Sequence, residues 1–110
     1  MKKEYRIRKN EEFQTIISKR KSFGSKCFVV YTSDRALDHC RIGISVSKKL
    51  GDAVDRNKIK RQLRMMLLQI VNFEECQKDM IVIVKKDYLN NDFDTNKNDL
   101  EKIVKNAIIK

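Results

Sequence analysis

The chain has 110 residues, 41% of them apolar, and carries 25 Lys and Arg against 15 Asp and Glu, a formal net charge of +10. That length supports one hydrophobic core and one domain, residues 1–110, and leaves little depth for a self-contained active site. The apolar share excludes wholesale disorder, and no apolar run approaches the roughly 20 residues that span a bilayer.

The opening Met1-Lys2-Lys3-Glu4-Tyr5-Arg6 is basic but lacks the apolar stretch of a secretory signal, so a cytoplasmic protein with no membrane partner is expected. Asn10 is placed to cap a helix that opens on Glu11-Glu12 and repeats Phe13, Ile16 and Ile17 at helical spacing to about Lys19. Cys27-Phe28-Val29-Val30-Tyr31-Thr32 is rich in β-branched and aromatic residues and reads as a strand, with a polar connection from Ser33 to His39. Arg41 to Ser47 then alternates. Ile42, Ile44 and Val46 share one face, while Arg41, Gly43, Ser45 and Ser47 share the other, which has little side-chain bulk and leaves room for something to lie on it. Hairpin pairing between these two strands is expected.

The loop Lys48-Lys49-Leu50-Gly51-Asp52-Ala53 is basic, and Asp52 or Asp55 is placed to cap the helix that follows. Projected at about 100° per residue, that helix gathers Arg56, Asn57, Lys60, Arg61 and Arg64 on one arc and Ile59, Leu63, Met66 and Ile70 on a separate apolar stripe. No acidic residue occurs from Arg56 to Val71, so the arc lacks the carboxylates that an ordinary solvated helix uses for i,i+4 pairing. Asp79 to Val84 is a near-continuous apolar run, a strand buried on both faces. After the polar stretch Asn90 to Thr95, a last helix carries Leu100, Ile103, Val104, Ala107 and Ile108 on one stripe. The order helix, strand, strand, helix, strand, helix, with a helical crossover before the third strand, is α+β.

The charge is unevenly placed. Residues 1–30 and 41–64 each hold +6, whereas 31–40 and 65–110 hold −1 each. Concentrated in this way, the excess describes a binding surface for an anionic partner rather than solubilising charge. Catalytic constellations are missing. His39 is the only histidine and has no evident partner, Ser45 and Ser47 lack a nucleophile turn, and the segment Gly43 to Gly51 lacks the ending of a phosphate-binding loop. Asp92, Asp94 and Asp99 read as turn and capping residues. Cys27, Cys40 and Cys76 have none of the spacing of a structural zinc site and read as reduced thiols. The residues describe a binding module whose partner is RNA: cations for phosphates, Asn57 for a base edge or 2′-hydroxyl, and Phe13, Phe28 and Tyr31 as stacking platforms or core residues.

The run from Gly43 to Arg64, with its Ser-Val-Ser-Lys-Lys strand end (45–49), its Gly-Asp-Ala-Val turn (51–54) and its Arg-Asn-Lys-Ile-Lys-Arg-Gln-Leu-Arg helix (56–64), resembles the signature of the protein subunit of bacterial ribonuclease P. The likeness extends to Arg6 through Phe13, to Phe28-Val29-Val30-Tyr31 and to Asp79 through Val84. It implies a two-layer α+β sandwich of the kind seen in the second domain of ribosomal protein S5, with an unusual left-handed βαβ crossover. It also implies a subunit that binds the catalytic RNA and the single-stranded 5′ leader of precursor tRNA and assists endonucleolytic removal of that leader. Catalytic groups and Mg2+ are then held by the RNA and none by the protein, which is monomeric alone.

Matched residue by residue, the family's RNA-binding helix motif falls on Arg56, Asn57, Lys58, Lys60, Arg61 and Arg64, with Lys48 and Lys49 as its basic approach. The leader-binding cleft falls on Phe13, Ile17, Val29, Tyr31 and Ser45, with Asn57, Lys60 and Arg64 along its edge. Ile17 stands where relatives often carry a second aromatic, Lys21, Ser25 and Lys26 where they often show a Gly turn and an Asn-Arg pair, and Met65 where a polar residue is usual. Lys85-Lys86-Asp87 lacks the proline common after the last strand. The competing reading is a ribosomal or RNA-chaperone protein serving no enzyme; a helix-turn-helix DNA binder is disfavoured by the strand that precedes the basic helix.

Overall fold

The computed structural model describes residues 1–109. Helix α1 (Asn10–Ser18) begins one residue earlier than the sequence suggests: Lys9 occupies the cap position without a side-chain hydrogen bond, and Asn10 is already helical. Glu11 and Glu12 in the first turn complement the helix dipole in place of a cap. Strand β1 (Ser22–Gly24) is too short for any periodicity to reveal. Strands β2 (Phe28–Asp34) and β3 (Ile42–Ser45) follow, then the basic loop and helix α2 (Ala53–Ile70). Strand β4 (Lys78–Val84) and helix α3 (Phe93–Ile109) complete the strands and α-helices of the described residues. Asp92 takes the capping role before α3, accepting the Thr95 N–H at 2.8 Å.

The strands lie in the order β1-β2-β4-β3. The expected hairpin between β2 and β3 does not form, because β4 is inserted between them. Val82 of β4 lies opposite Val30 of β2 in an antiparallel pair and opposite Ile44 of β3 in a parallel one. The physical reason is in β4 itself: Met80, Ile81, Val82 and Val84 are all buried, and a strand that is apolar on both faces gains most from the middle of a sheet. Helix α2 is therefore the crossover of a βαβ unit joining β3 to β4.

One face of the sheet carries the main core. Phe28, Val30, Ile42, Met80 and Val82 pack with Leu63, Met66 and Leu67 of α2 and with Leu100 and Val104 of α3, each fully buried Leu or Met contributing about 1.5–3 kcal/mol. Leu67 widens the apolar stripe read from the sequence, and Ile70 is only partly buried. The opposite face is covered in part by α1, through a small cluster of Ile7, Ile16 and Ile81. The three cysteines are buried free thiols. Cys40 is held by its N–H donating to the Phe73 carbonyl at 2.8 Å, and His39 lies edge-on to Tyr5, which stacks on Phe73, so both residues serve packing. No helix of the described residues is long and apolar enough to cross a membrane.

Candidate nucleic-acid interface

The sheet register arranges the α1-facing side chains in rows. Ser22, Tyr31, Ile81 and Gly43 form one row across the four strands, and Gly24, Val29, Ile83 and Ser45 form the next. Helix α1 lies over the first row. A Cβ built on Gly43 would stand 2.6 Å from Phe13 Cζ and 2.9 Å from Ile81 Cδ1, so the absence of a side chain there is what lets the ring approach the sheet. The bare face read from the alternation of β3 is thus filled at Gly43 by Phe13 and free only at its Ser45 end. In the second row Val29, Ile83 and Ser45 are each half-buried, a shallow floor beside Phe13, Ile17 and Tyr31.

The N-terminal segment supplies a wall that the sequence reading did not assign. Arg6 makes a parallel bridge to Ile42, and the Ile7 N–H donates to the Ile42 carbonyl at 3.2 Å, so residues 6–8 run beside β3. Buried Ile7 anchors the segment, and the alternation Arg6-Ile7-Arg8 was the available signal. Between this segment, α1, β3 and α2 lies a cleft of about 390 Å³, bordered by Phe13 and Ser45 together with Arg6, Arg8, Lys60 and Arg64. The two basic blocks of the sequence meet here, and none of the residues lining the cleft is a carboxylate.

The electrostatics of the cleft favour an anion. Partial burial, reinforced by the nearby Arg6, holds the Arg64 guanidinium below the ordinary arginine value. Arg6 donates through Nη2 to the Met1 carbonyl at 2.9 Å, while its Nε is buried without an acceptor. Cations brought together with one donor unsatisfied are stabilised by an incoming acceptor of negative charge. Arg41, by contrast, is withdrawn from the basic surface. Although burial opposes its charge, Glu12 at 2.7 Å and Asp79 at 3.3 Å hold it above its usual value and neutralise it.

Local chemistry sets where α2 starts. Asp52 accepts the Asp55 N–H at 2.9 Å and Asp55 accepts the Asp52 N–H at 3.4 Å, a reciprocal cap. Gly51 enters it at φ +144°, where a Cβ would come within 2.7 Å of Asp55. Just upstream, Lys48 and Lys49 are exposed on a 3-10 turn pinned by buried Leu50. On α2 itself, Arg56, Lys60 and Arg64 form a half-buried row at i, i+4 and i+8, whereas Asn57, Lys58 and Arg61 are exposed. Lys58 belongs to a different flank, where it lines a hollow with Gln62, Tyr88 and Leu89. The structure therefore brings Phe13, Ser45, Lys60 and Arg64 to one cleft, leaves Val29, Tyr31 and Ile17 on the adjoining sheet and helix surface outside its lining, and turns the rest of the motif outward. Ile83, between Val29 and Ser45, was hidden in the sequence by the uniform apolarity of β4.

The family model for Ribonuclease P matches residues 1–108. The chain belongs to the ribonuclease P protein family. The ribonuclease P protein component of Mesoplasma florum is 47% identical over 105 residues, covering 94% of this chain and 96% of its own. That of Listeria welshimeri is 42% identical over 106 residues, with 96% and 89% covered. Among solved structures, the RNase P protein of Staphylococcus aureus superposes with a TM-score of 0.83 at 43% identity over 94% of both chains. The RNase P protein of Thermotoga maritima gives 0.79 at 30% identity, over 92% of this chain and 96% of its own. Family membership makes the chain the protein subunit of ribonuclease P, the endoribonuclease holoenzyme of tRNA 5′ processing, with an RNA partner. The reading as an RNA binder serving no enzyme is set aside.

Proposed function

We propose that the chain holds the single-stranded 5′ leader of precursor tRNA in the cleft between α1, β3 and α2, and the catalytic RNA through the outward part of α2 and the basic loop. The supporting observation is a carboxylate-free cationic wall at Arg6, Lys60 and Arg64 in one cleft with Phe13 and Ser45, from which the half-buried apolar row of Ile83 and Val29 continues across the sheet. A single strand offers both complements at once, phosphates to the wall and base faces to the apolar row, whereas a duplex keeps its base faces stacked inside. Ser45 and Asn57 are the polar groups for base edges or 2′-hydroxyls. Lys48, Lys49, Arg56, Lys58 and Arg61 are left for the catalytic RNA.

In this reading the chain positions and neutralises, in the cytoplasm, while hydrolysis belongs to the RNA and its Mg2+. A hard divalent cation takes oxygen ligands, carboxylates above all. The lining of the cleft, four basic side chains and no carboxylate, does not fit a directly held Mg2+. The test is reconstitution: with its cognate RNA subunit, the protein is expected to support precursor-tRNA cleavage at magnesium concentrations where the RNA alone is inactive. Equal cleavage with and without the protein sinks the proposal. Replacing Arg56 and Arg61 together by Ala is expected to lower the salt slope of binding by about one unit per lost phosphate contact.

A further inference from the structure

Helix α2 has a side that neither the core nor the cleft uses. Val54, Met65 and Leu68 are 75%, 57% and 52% exposed. With Lys58 and Arg61 they recur at i, i+4, i+7, i+11 and i+14, so at about 100° per residue all five fall within about 80° of arc, on a stripe about 21 Å long. The half-buried row of Arg56, Lys60 and Arg64, whose last two members line the cleft, is centred about 120° away. A single exposed Leu is ordinary. Three large apolar side chains aligned with two cations, on a helix with no carboxylate beyond Asp55, form a surface with a chemical requirement.

The partner must be anionic and must also offer apolar faces. A second copy of this chain fails the first condition, since its own charge is +10 and its stripe repeats the same cations. Duplex RNA fails the second, because its base faces are stacked inside and it presents only phosphates, 2′-hydroxyls and polar base edges. We infer that the stripe from Val54 to Leu68 docks on an unpaired, base-exposing segment of the RNA subunit. Met65 and Leu68 lie against base faces, the Met thioether being suited to aromatic contact, and Lys58 and Arg61 take the flanking phosphates. The inference rests on the proposal that α2 binds the catalytic RNA, and it adds which nucleotides that helix meets and through which apolar residues.

The experiment uses the full chain and its cognate RNA subunit transcribed in vitro. The Met65→Gln/Leu68→Gln double variant keeps helix propensity and removes no charge. It is expected to weaken binding about tenfold with an unchanged salt slope, an unfolding midpoint no lower than the parent's, and an unchanged preference for precursor over mature tRNA. Met65→Leu/Leu68→Met is expected to restore parental affinity. A photo-crosslinker on Met65→Cys is expected to mark unpaired nucleotides. A parent that binds and a double variant that binds equally well overturn this inference alone, as do crosslinks confined to paired helices. A parent that fails to bind the RNA overturns the underlying proposal with it.

Discussion

Phe13 of α1 stands over Gly43 of β3, its ring in the space where a side chain on the strand would begin. Gly43→Ala forces Phe13 and Ile81 aside, and overpacking of this kind costs about 1–3 kcal/mol. Thermal or urea unfolding is expected to show that loss, and the displaced ring is expected to lower the preference for precursor over mature tRNA. An alanine variant as stable as the parent refutes the close fit.

Arg6 and Arg64 make a second prediction. Their mutual repulsion across the cleft is relieved by an anion, so the parent's unfolding midpoint is expected to rise with added phosphate or pyrophosphate more than that of Arg64→Gln. The same variant is expected to lose about one unit of salt slope in leader binding if one phosphate contact is removed. Identical responses of parent and variant to the anion count against the cleft as its site.

The sheet surface beside the cleft separates stacking from packing. Tyr31→Ala is expected to cost about 1–3 kcal/mol of leader affinity, and Ile83→Thr a smaller amount, with binding to the RNA subunit unaffected in both. Titration of the variants with precursor and mature tRNA decides it. Equal losses for the two substrates identify Tyr31 and Ile83 as core residues only.

At the start of α2, Asp52→Ala is expected to cost about 1 kcal/mol through loss of the cap. Gly51→Ala is expected to destabilise as well, because an L-residue at φ +144° is strained and its Cβ meets Asp55. Both changes loosen the loop that carries Lys48 and Lys49, so RNA affinity is expected to fall beyond what charge alone explains; chemical unfolding beside filter binding separates the two effects.

Acid stability follows from two exposed carboxylates. The hydrogen bond and charge of Lys78 hold Asp34 below the ordinary carboxylate value of 3.8, and the hydrogen bonds from Thr95 do the same for Asp92. A lowered folded value means that their stabilisation is complete above 3.8 and is lost as pH falls through the lowered values. The double variant Asp34→Asn/Asp92→Asn is therefore expected to show a flatter decline of stability below 3.8 than the parent, as read by unfolding midpoints along a pH series.

What was legible in the sequence was local. The alternation of β3, the two-sided pattern of α2 and the basic motif from Lys48 to Arg64 are written in consecutive residues, and their elements formed where the pattern put them. Pairing is a relation between distant segments, and β2 and β3 each carry only half of it. The clue was the two-faced apolarity of Met80 to Val84, which favours a central strand, the place β4 takes between β2 and β3. Among the site residues, Arg6 and Arg8 were missed because their role depends on a bridge to Ile42, and Ile83 because its exposure comes from where α1 stops. Arg41 counted toward the basic block in the sequence, yet in the fold Glu12 and Asp79 claim it.

The central place of β4 bears on how the molecule comes to exist. Its pairing with β2 joins residues between 44 (Asp34 with Lys78) and 56 (Phe28 with Val84) positions apart, a separation that slows sheet closure. On a chain growing from its N-terminus, β2, β3 and all of α2 are synthesised before the strand that unites them. Through that interval the cationic helix has no sheet to rest on, and the nascent chain offers its charge to passing polyanions before it has a fold.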